Sequence, residues 1–250
     1  MKPILTGLLL AGSAMLGVAD SPDVIAGQPI LDAVVARLPT DPLEIHGDIT
    51  VRKRRGVVLQ ELKFDMALNW GATPSTALYT IRDGFGSALE NMKIQHTLGE
   101  GVSVAYQANE DETPSELPLH TRIQETDISW ADLTLAFLWW PNSRVVGDDT
   151  VRGRECLVLD IPAPERAPTS VDEINSMPYT SVRLWVDREM LMLLQAEGRD
   201  SEGDPMRKLW VKSLKKIDGQ WMIKDMEIQS FPPIHRTRLR IREVSVAATS

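Results

Sequence analysis

Between Ser181 and Val246 the chain alternates apolar and polar residues through SVRLWVD, LMLLQAEGR, MRKLWVKSLKKI, QWMIKDMEIQS and RTRLRIREVSV. Period two sends successive side chains to opposite faces of an extended backbone, so each run predicts a half-buried antiparallel strand rather than a helix. The interruptions agree. Asp200-Ser201-Glu202-Gly203-Asp204-Pro205 and Lys216-Ile217-Asp218-Gly219 supply the Gly, Asp and Pro that reversals need, the second with Asp-Gly at a hairpin tip. Strands are expected at Ser181–Val186, Leu191–Arg199, Met206–Ile217, Gln220–Ser230 and, after Pro232-Pro233, Arg236–Val246. Together they predict a meander that forms one wall of a larger sheet.

The front half repeats the pattern. LEIHGDITVRK and GVVLQELKFDMALNW predict two strands turned at Arg54-Arg55-Gly56, and two more are expected at Ala77–Arg82 and Ala88–Gln95 around Asp83-Gly84-Phe85-Gly86. Ahead of them, Ile30–Leu38 carries apolar residues at helical spacing and stops at Pro39, predicting a short amphipathic helix against the sheet. Thr97–Arg122 predicts no element, and its acidic run Asn109–Thr113 reads as a solvated loop. From Asp127 to Pro141 a strongly apolar central helix is expected, capped by Asp127 or Ser129, with Asp132 in its next turn and Pro141 ending it. Its Trp130, Leu133, Phe137, Leu138 and Trp140 read as core plugging the open side of a curved sheet. The same surface suits the wall of an apolar ligand pocket, and the two readings are compatible. Asn142–Thr150 reads as a turn-rich connection, Val151–Asp160 as a strand or strand pair, and Pro162–Pro178 as a surface excursion.

Composition narrows the partners. A net charge of −8 argues against general affinity for nucleic acid or anionic headgroups. Met1-Lys2, the apolar Ile4–Leu16 and Gly17-Val18-Ala19 read as an export signal over residues 1–19 cleaved near Ala19. No other stretch approaches the ~20 apolar residues of a membrane span. A single domain over residues 20–250, soluble in the periplasm, is therefore expected. Cys156 is the sole cysteine, which excludes an internal disulfide and any multi-cysteine metal site, and it reads as a small buried hydrophobe.

Candidate chemistry is sparse. Arg236, Arg238, Arg240 and Arg242 fall at period two and share one strand face. They suit either a solvent-facing ladder paired with Asp225 and Glu227 or an anchor for an acidic partner or lipid headgroup. The histidines His46, His96, His120 and His235 lack metal-ligand spacing, and no nucleophile elbow, phosphate loop or dinucleotide fingerprint is present. No metal, cofactor or catalytic group is expected. A hydrolase would require the histidines and acids to converge in space.

The order of elements resembles the outer-membrane lipoprotein-sorting proteins of LolA-like fold, in particular their larger uncharacterised branch. The resemblance is carried by Thr126-Asp127-Ile128-Ser129-Trp130-Ala131-Asp132-Leu133, Arg183-Leu184-Trp185-Val186-Asp187 with Leu191, Lys208-Leu209-Trp210-Val211, Gly219-Gln220-Trp221 and Thr237-Arg238-Leu239. It covers roughly Thr126 to Val244 closely and the front half by pattern alone. The long Pro-rich insertion departs from it.

What the resemblance implies is a mainly β, α+β fold: an unclosed antiparallel β-barrel, or strongly curved sheet, covered by helices and shielding acyl chains of lipoproteins or lipids in the periplasm. An acyl chain gains about 0.8 kcal/mol per buried methylene, so a dry concave wall suffices and no catalysis is needed. Large aromatics on alternating strands and on the lid are what such a wall needs, which nominates Trp70, Tyr79, Phe137, Trp139, Trp185 and Trp210. The alternative is a non-enzymatic envelope module whose outer face docks onto an inner-membrane transporter or lipoprotein-export partner.

Overall fold

A computed structural model describes residues 25–97, 101–108, 113–115, 117–163, 179–217 and 219–247. The expected export signal, most of the acidic run and nearly all of the Pro162–Pro178 excursion lie outside the described residues, as does Asp218 at the expected hairpin tip. Helix α1 (Gln28–Val35) precedes strands β1 (Leu43–Lys53), β2 (Val58–Asn69), β3 (Ser75–Arg82), β4 (Ala88–Thr97) and β5 (Gly101–Gln107). After helix α2 (Trp130–Thr134) come β6 (Arg144–Val151), β7 (Arg154–Pro162), β8 (Ser181–Asp187), β9 (Leu193–Arg199), β10 (Pro205–Ile217), β11 (Gln220–Ser230) and β12 (His235–Val246).

These strands make one antiparallel sheet of twelve in the order β5-β4-β3-β2-β1-β12-β11-β10-β9-β8-β7-β6. The sheet is open, with β5 and β6 at its edges. The first five strands run outward from the middle; the chain then crosses by way of α2 to the far edge and returns strand by strand until β12 pairs with β1 along its full length. The segment before α1 covers the β6 edge: Gly27 N–H donates to the Ser143 carbonyl and Val145 N–H to the Ile25 carbonyl, each at 2.9 Å. Edge strands left bare invite pairing with other chains, and this contact blunts one of them.

Alternation settles which side each strand buries. Ile45, Ile49 and Val51 of β1, Leu62, Phe64 and Met66 of β2 and Ala77, Tyr79 and Ile81 of β3 all point into the core. From the other half come Leu184 and Val186 of β8, Leu209 of β10, Met226 and Ile228 of β11 and Leu239 of β12. Leu31 and Val34 of α1 and Trp130, Leu133, Phe137 and Leu138 of the crossing segment pack into the same cluster. Full burial of each large side chain stabilises by about 1.5–3 kcal/mol. A register shift between His46 and Gly47 bends β1 against β12. A Cβ on Gly47 would overlap the Arg240 carbonyl oxygen and the Phe64 ring, so only glycine lets Phe64 pass beneath the strand there.

The structure departs from the sequence expectation at three elements. The expected central helix is one turn, α2, followed by a 3₁₀ turn at Ala136–Trp139, because Leu135 between them is left-handed at φ 50° and ends the helix. Two short turns bury Trp130, Leu133, Phe137, Leu138 and Trp140 together, whereas a continuous helix would present only one stripe to the core. The expected connection at Asn142–Thr150 is mostly strand β6, an edge strand with nearly every side chain outside the core and therefore no alternation to read. Strand β5 arises where no element was predicted.

The β10–β11 hairpin outruns its neighbours. β10 pairs with β9 only from Pro205 to Trp210 and β11 with β12 only from Asp225 to Ile228, yet β10 and β11 pair with each other out to Ile217 and Gln220. Beyond Val211 and before Asp225 the hairpin is thus a two-stranded arm. Arg152, in the turn between β6 and β7, donates to the Val211 and Lys212 carbonyls at 3.1 and 2.6 Å and satisfies part of the freed β10 edge.

Candidate functional site

A cavity of about 400 Å³ opens at one end of the concave face. Sheet residues Leu43, Ile45, Met66, Leu68, Met226, Leu239 and Ile241 make its floor. Leu133, Leu135, Leu138 and Trp139 of the crossing segment form the opposite wall, Arg37, Leu38 and Pro39 after α1 close one side, and Met190–Leu193 with Gly219–Ile223 rim the other. Among the described residues that line it Arg37 is the sole charged one, and none is an Asp, Glu or His. The volume falls within the ~300–1,000 Å³ usual for ligand sites, and the lining is almost wholly aliphatic, aromatic or thioether. Such a surface can hold an apolar body by excluding water.

The rim carries an aromatic stack. Trp70 and Trp139 lie with ring centroids 5.3 Å apart, and His96 sits 5.8 Å from Trp139. Desolvation holds the His96 imidazole below its ordinary value, favouring a neutral ring against the indole. Deeper in, Tyr79 meets Trp130 edge-on at 6.1 Å, and burial pushes its phenol well up.

The wall opposite the sheet is held by buried polar groups of the Thr126–Leu133 box. The Asp127 carboxylate accepts from His235 Nδ1–H at 2.6 Å and the Thr237 hydroxyl at 3.1 Å, while Asp127 N–H donates to Thr237 Oγ1 at 2.8 Å. Asp132 accepts from both the backbone N–H and the hydroxyl of Ser129 at 2.7 Å, fixing the first turn of α2. Arg207 of β10 donates to both Asp132 carboxylate oxygens and to the Asp127 carbonyl. The Asp127 and Asp132 side chains are 3% and 6% exposed, so this clamp to β10 and β12 is paired out of water.

The six nominated aromatics separate into two groups. Trp70, Tyr79 and Trp139 line the cavity. Phe137 is buried beside it, against Tyr179, Val182 and Leu209. Trp185 and Trp210 lie on the other face of the sheet. Trp185 packs with Cys156, Val158 and Leu194 and donates from its indole to Asp149 at 2.8 Å, and Trp210 lines a shallow groove with Phe231 and Gln229. In SVRLWVD it is Val182, Leu184 and Val186 that face the main core, so period two sends Trp185 outward. The cavity's Leu43, Met66, Leu68, Met222, Met226, Leu239 and Ile241 were not nominated; strand alternation, followed strand by strand, was the signal for them.

The arginine ladder on β12 is paired within the sheet. Arg236 meets Glu227 at 3.2 Å, Arg238 and Arg240 share Asp225, and Arg242 meets Asp48. Burial alone would raise the Asp225 carboxyl, but the bonds from Arg238 and Arg240 outweigh it and hold it below its ordinary value. The histidines are dispersed: His46 bonds Asp65 at 2.7 Å, His96 stacks at the rim and His235 belongs to the clamp. Among the described residues no three His, Cys, Asp or Glu side chains gather as a metal-ligand set. Also among them, no helix is long and apolar enough to cross a membrane. Cys156 is fully buried, and burial raises its thiol.

Comparison with solved structures finds the same architecture in distant sequences. A DUF1329 family protein from Desulfovibrio piger superposes with a TM-score of 0.72 at 15% identity, over 89% of this chain and 92% of that one. A putative outer membrane lipoprotein-sorting protein domain from Vibrio parahaemolyticus gives 0.68 at 12%, over 87% and 91%. A LolA superfamily protein from Nitrosomonas europaea gives 0.69 at 13%, over 90% and 96%. Identities this low establish a shared fold. No curated protein matches the sequence. A family model described as "Uncharacterized protein" matches residues 113–249, spanning the clamp, the crossing wall and strands β6 to β12. With more than half of its residues inside that model, the chain belongs to this family of uncharacterised proteins, a branch with the LolA-like fold.

Proposed function

We propose that the protein is an extracytoplasmic carrier that shelters an acyl chain, of a lipidated protein or a free lipid, in the cavity between the concave sheet and the crossing segment. The carrying observation is the cavity itself: about 400 Å³, open to solvent and, among the described residues, lined by a single charged one, Arg37. A dozen methylenes moved from water into such a space would gain on the order of 10 kcal/mol before ordering costs, enough to hold a chain without covalent chemistry. Arg37, exposed and part of the cavity lining, would meet a carboxylate or phosphate at the polar end of the ligand.

Export fits the same reading. Residues 1–19 have the composition of a signal peptide, and the domain beginning near Asp20 would act in the periplasm on lipoproteins or lipids in transit between membranes. The fold is one that a protein described as outer-membrane lipoprotein-sorting also adopts. Carriage makes and breaks no bond, and an apolar lining is all that it requires.

The test is native mass spectrometry, with lipid extraction, on the mature chain purified from a bacterial periplasm. Acylated material bound at near-stoichiometric amounts is expected. A clean apo mass that persists after excess lipid and lipopeptide are offered would refute the reading and turn the search to a protein partner such as a transporter.

A further inference from the structure

We propose that the β10–β11 arm is a docking element for the surface of an anionic phospholipid bilayer, positioned so that the cavity mouth opens against the membrane. The inference rests on the carrier reading and adds where cargo enters and leaves.

The arm is chemically unlike the rest of the chain. From Val211 to Lys224 the sequence holds Lys212, Lys215, Lys216 and Lys224 against one acid, Asp218, in a protein whose net charge is −8. Lys212 is spoken for by Glu227 at 2.9 Å. Lys215, Lys216 and Lys224 are exposed, and among the described residues none of them forms an ion pair. Trp221 stands directly across the hairpin from Lys216 and is 45% exposed, although indoles are usually sheltered. Exposed tryptophan beside unpaired lysine is the combination that settles at the headgroup layer, the ring among the glycerol groups and the ammonium among phosphates.

Position supplies the second argument. Trp221, Met222 and Ile223 rim the cavity, so a membrane touching the arm touches the mouth. An acyl chain could then slide between bilayer and cavity along Trp221 and Met222 without crossing water. The overall negative charge does not forbid this. At physiological salt the Debye length is about 8 Å, so the surface senses the arm's lysines and little of the acids on the far face.

Each lysine near an anionic surface contributes about fivefold in partitioning, and three together on the order of a hundredfold. The experiment is co-sedimentation of the mature chain with vesicles of phosphatidylglycerol and phosphatidylethanolamine, and with vesicles of phosphatidylcholine alone, over a salt series. Binding to the anionic vesicles only, weakened by salt, is expected. It should fall by about a hundredfold when the three charges are only removed, by well over that in a Lys215→Glu/Lys216→Glu/Lys224→Glu variant that reverses them, and severalfold in Trp221→Ala. A Lys215→Gln/Lys216→Gln/Lys224→Gln variant repeats the test with smaller perturbation of the hairpin, and circular dichroism verifies both. Equal binding to neutral vesicles, no binding at all, or unchanged binding in both triple variants would overturn the proposal. So would a lipid-free dimer, seen by sedimentation velocity and lost in the same variants, since the arm's free edges would then serve a second copy. Lipid content of the same samples separates the two claims: vesicle binding with a permanently empty cavity removes the carrier and keeps the dock, and cargo without vesicle binding does the reverse.

Discussion

Replacing Asp127 by alanine should test how the cavity's outer wall is held. Its carboxylate accepts two short bonds, from His235 Nδ1 at 2.6 Å and Thr237 Oγ1 at 3.1 Å, and a longer one from Ser230 N–H at 3.4 Å. A hydrogen bond to a charged group contributes about 1.5–3 kcal/mol, so loss of the two short ones should cost about 3–5 kcal/mol. Little is regained by hydration, because Thr237 is fully buried and the Asp127 side chain is 3% exposed. In a domain of this size each kcal/mol is worth about 2–4 °C, so the melting midpoint should drop by roughly 10 °C or more. Urea denaturation followed by far-UV circular dichroism gives the free energy directly. Asp127→Asn keeps one acceptor oxygen and should lose about 1–2 kcal/mol. Thr237→Val combined with Asp127→Ala should be clearly non-additive, because the residues share a bond. Lipid bound per chain should fall along with stability, since the same segment carries Leu133, Leu138 and Trp139 into the cavity. A loss below about 1 kcal/mol in Asp127→Ala would refute the clamp.

Three further outcomes are expected. Leu68→Trp fills the cavity floor from β2 and should abolish co-purified lipid in native mass spectra at a stability cost of about 1–3 kcal/mol; undiminished lipid would place the ligand elsewhere. Gly47→Ala drives a Cβ into the Arg240 carbonyl and the Phe64 ring and should cost about 2–3 kcal/mol by urea denaturation, with a change under 0.5 contradicting the close approach. Asp65, Asp187 and Asp225 are raised by burial but lowered more by their hydrogen bonds with Arg82 and His46, with Arg154, and with Arg238 and Arg240, so all three end below their ordinary value. The folded state therefore binds fewer protons. The stabilisation is complete above the unfolded carboxyl value near ~4 and drains away as pH falls through the lower folded values. Denaturation midpoints should decline below about pH 4, less steeply in Asp225→Asn, and a flat profile down to pH 2.5 would count against the ion pairs.

What could be read before the structure was whatever repeats with period two between recognisable turns. β1 and β2 on either side of Arg54–Gly56, and the run from β8 to β12, obey that rule and appear within a few residues of expectation. β6 does not, because an edge strand with exposed faces has no reason to alternate, and its Gly147-Asp148-Asp149 reads as a turn. The crossing segment misled for the opposite reason: with every side chain from Trp130 to Thr134 buried there is no solvent face, so spacing alone could not reveal the break at Leu135. At the site, aromatic bulk led to three side chains that line the cavity, Trp70, Tyr79 and Trp139, while alternation sends Trp185 and Trp210 to the other face of the sheet. Periodicity says that two faces exist. Only the curvature of the assembled sheet says which of them is hollow.

The adjacency of β1 and β12 governs when this molecule becomes complete. Leu43 lies opposite Val246 and Lys53 opposite His235, so the central seam of the sheet joins residues separated by nearly the whole described chain, whereas every other strand pair is between sequence neighbours. Local hairpins close early and distant pairings late. During synthesis or passage through a translocation pore, the β2–β5 and β6–β11 meanders can form from neighbouring strands, but the β1 edge facing the missing partner stays bare until the last strand emerges. A chain interrupted before His235 is left with two half-sheets, each exposing an apolar central edge that invites foreign pairing. The final dozen strand residues act as the closing stitch of the whole fold, and the half-made protein needs protection until they arrive.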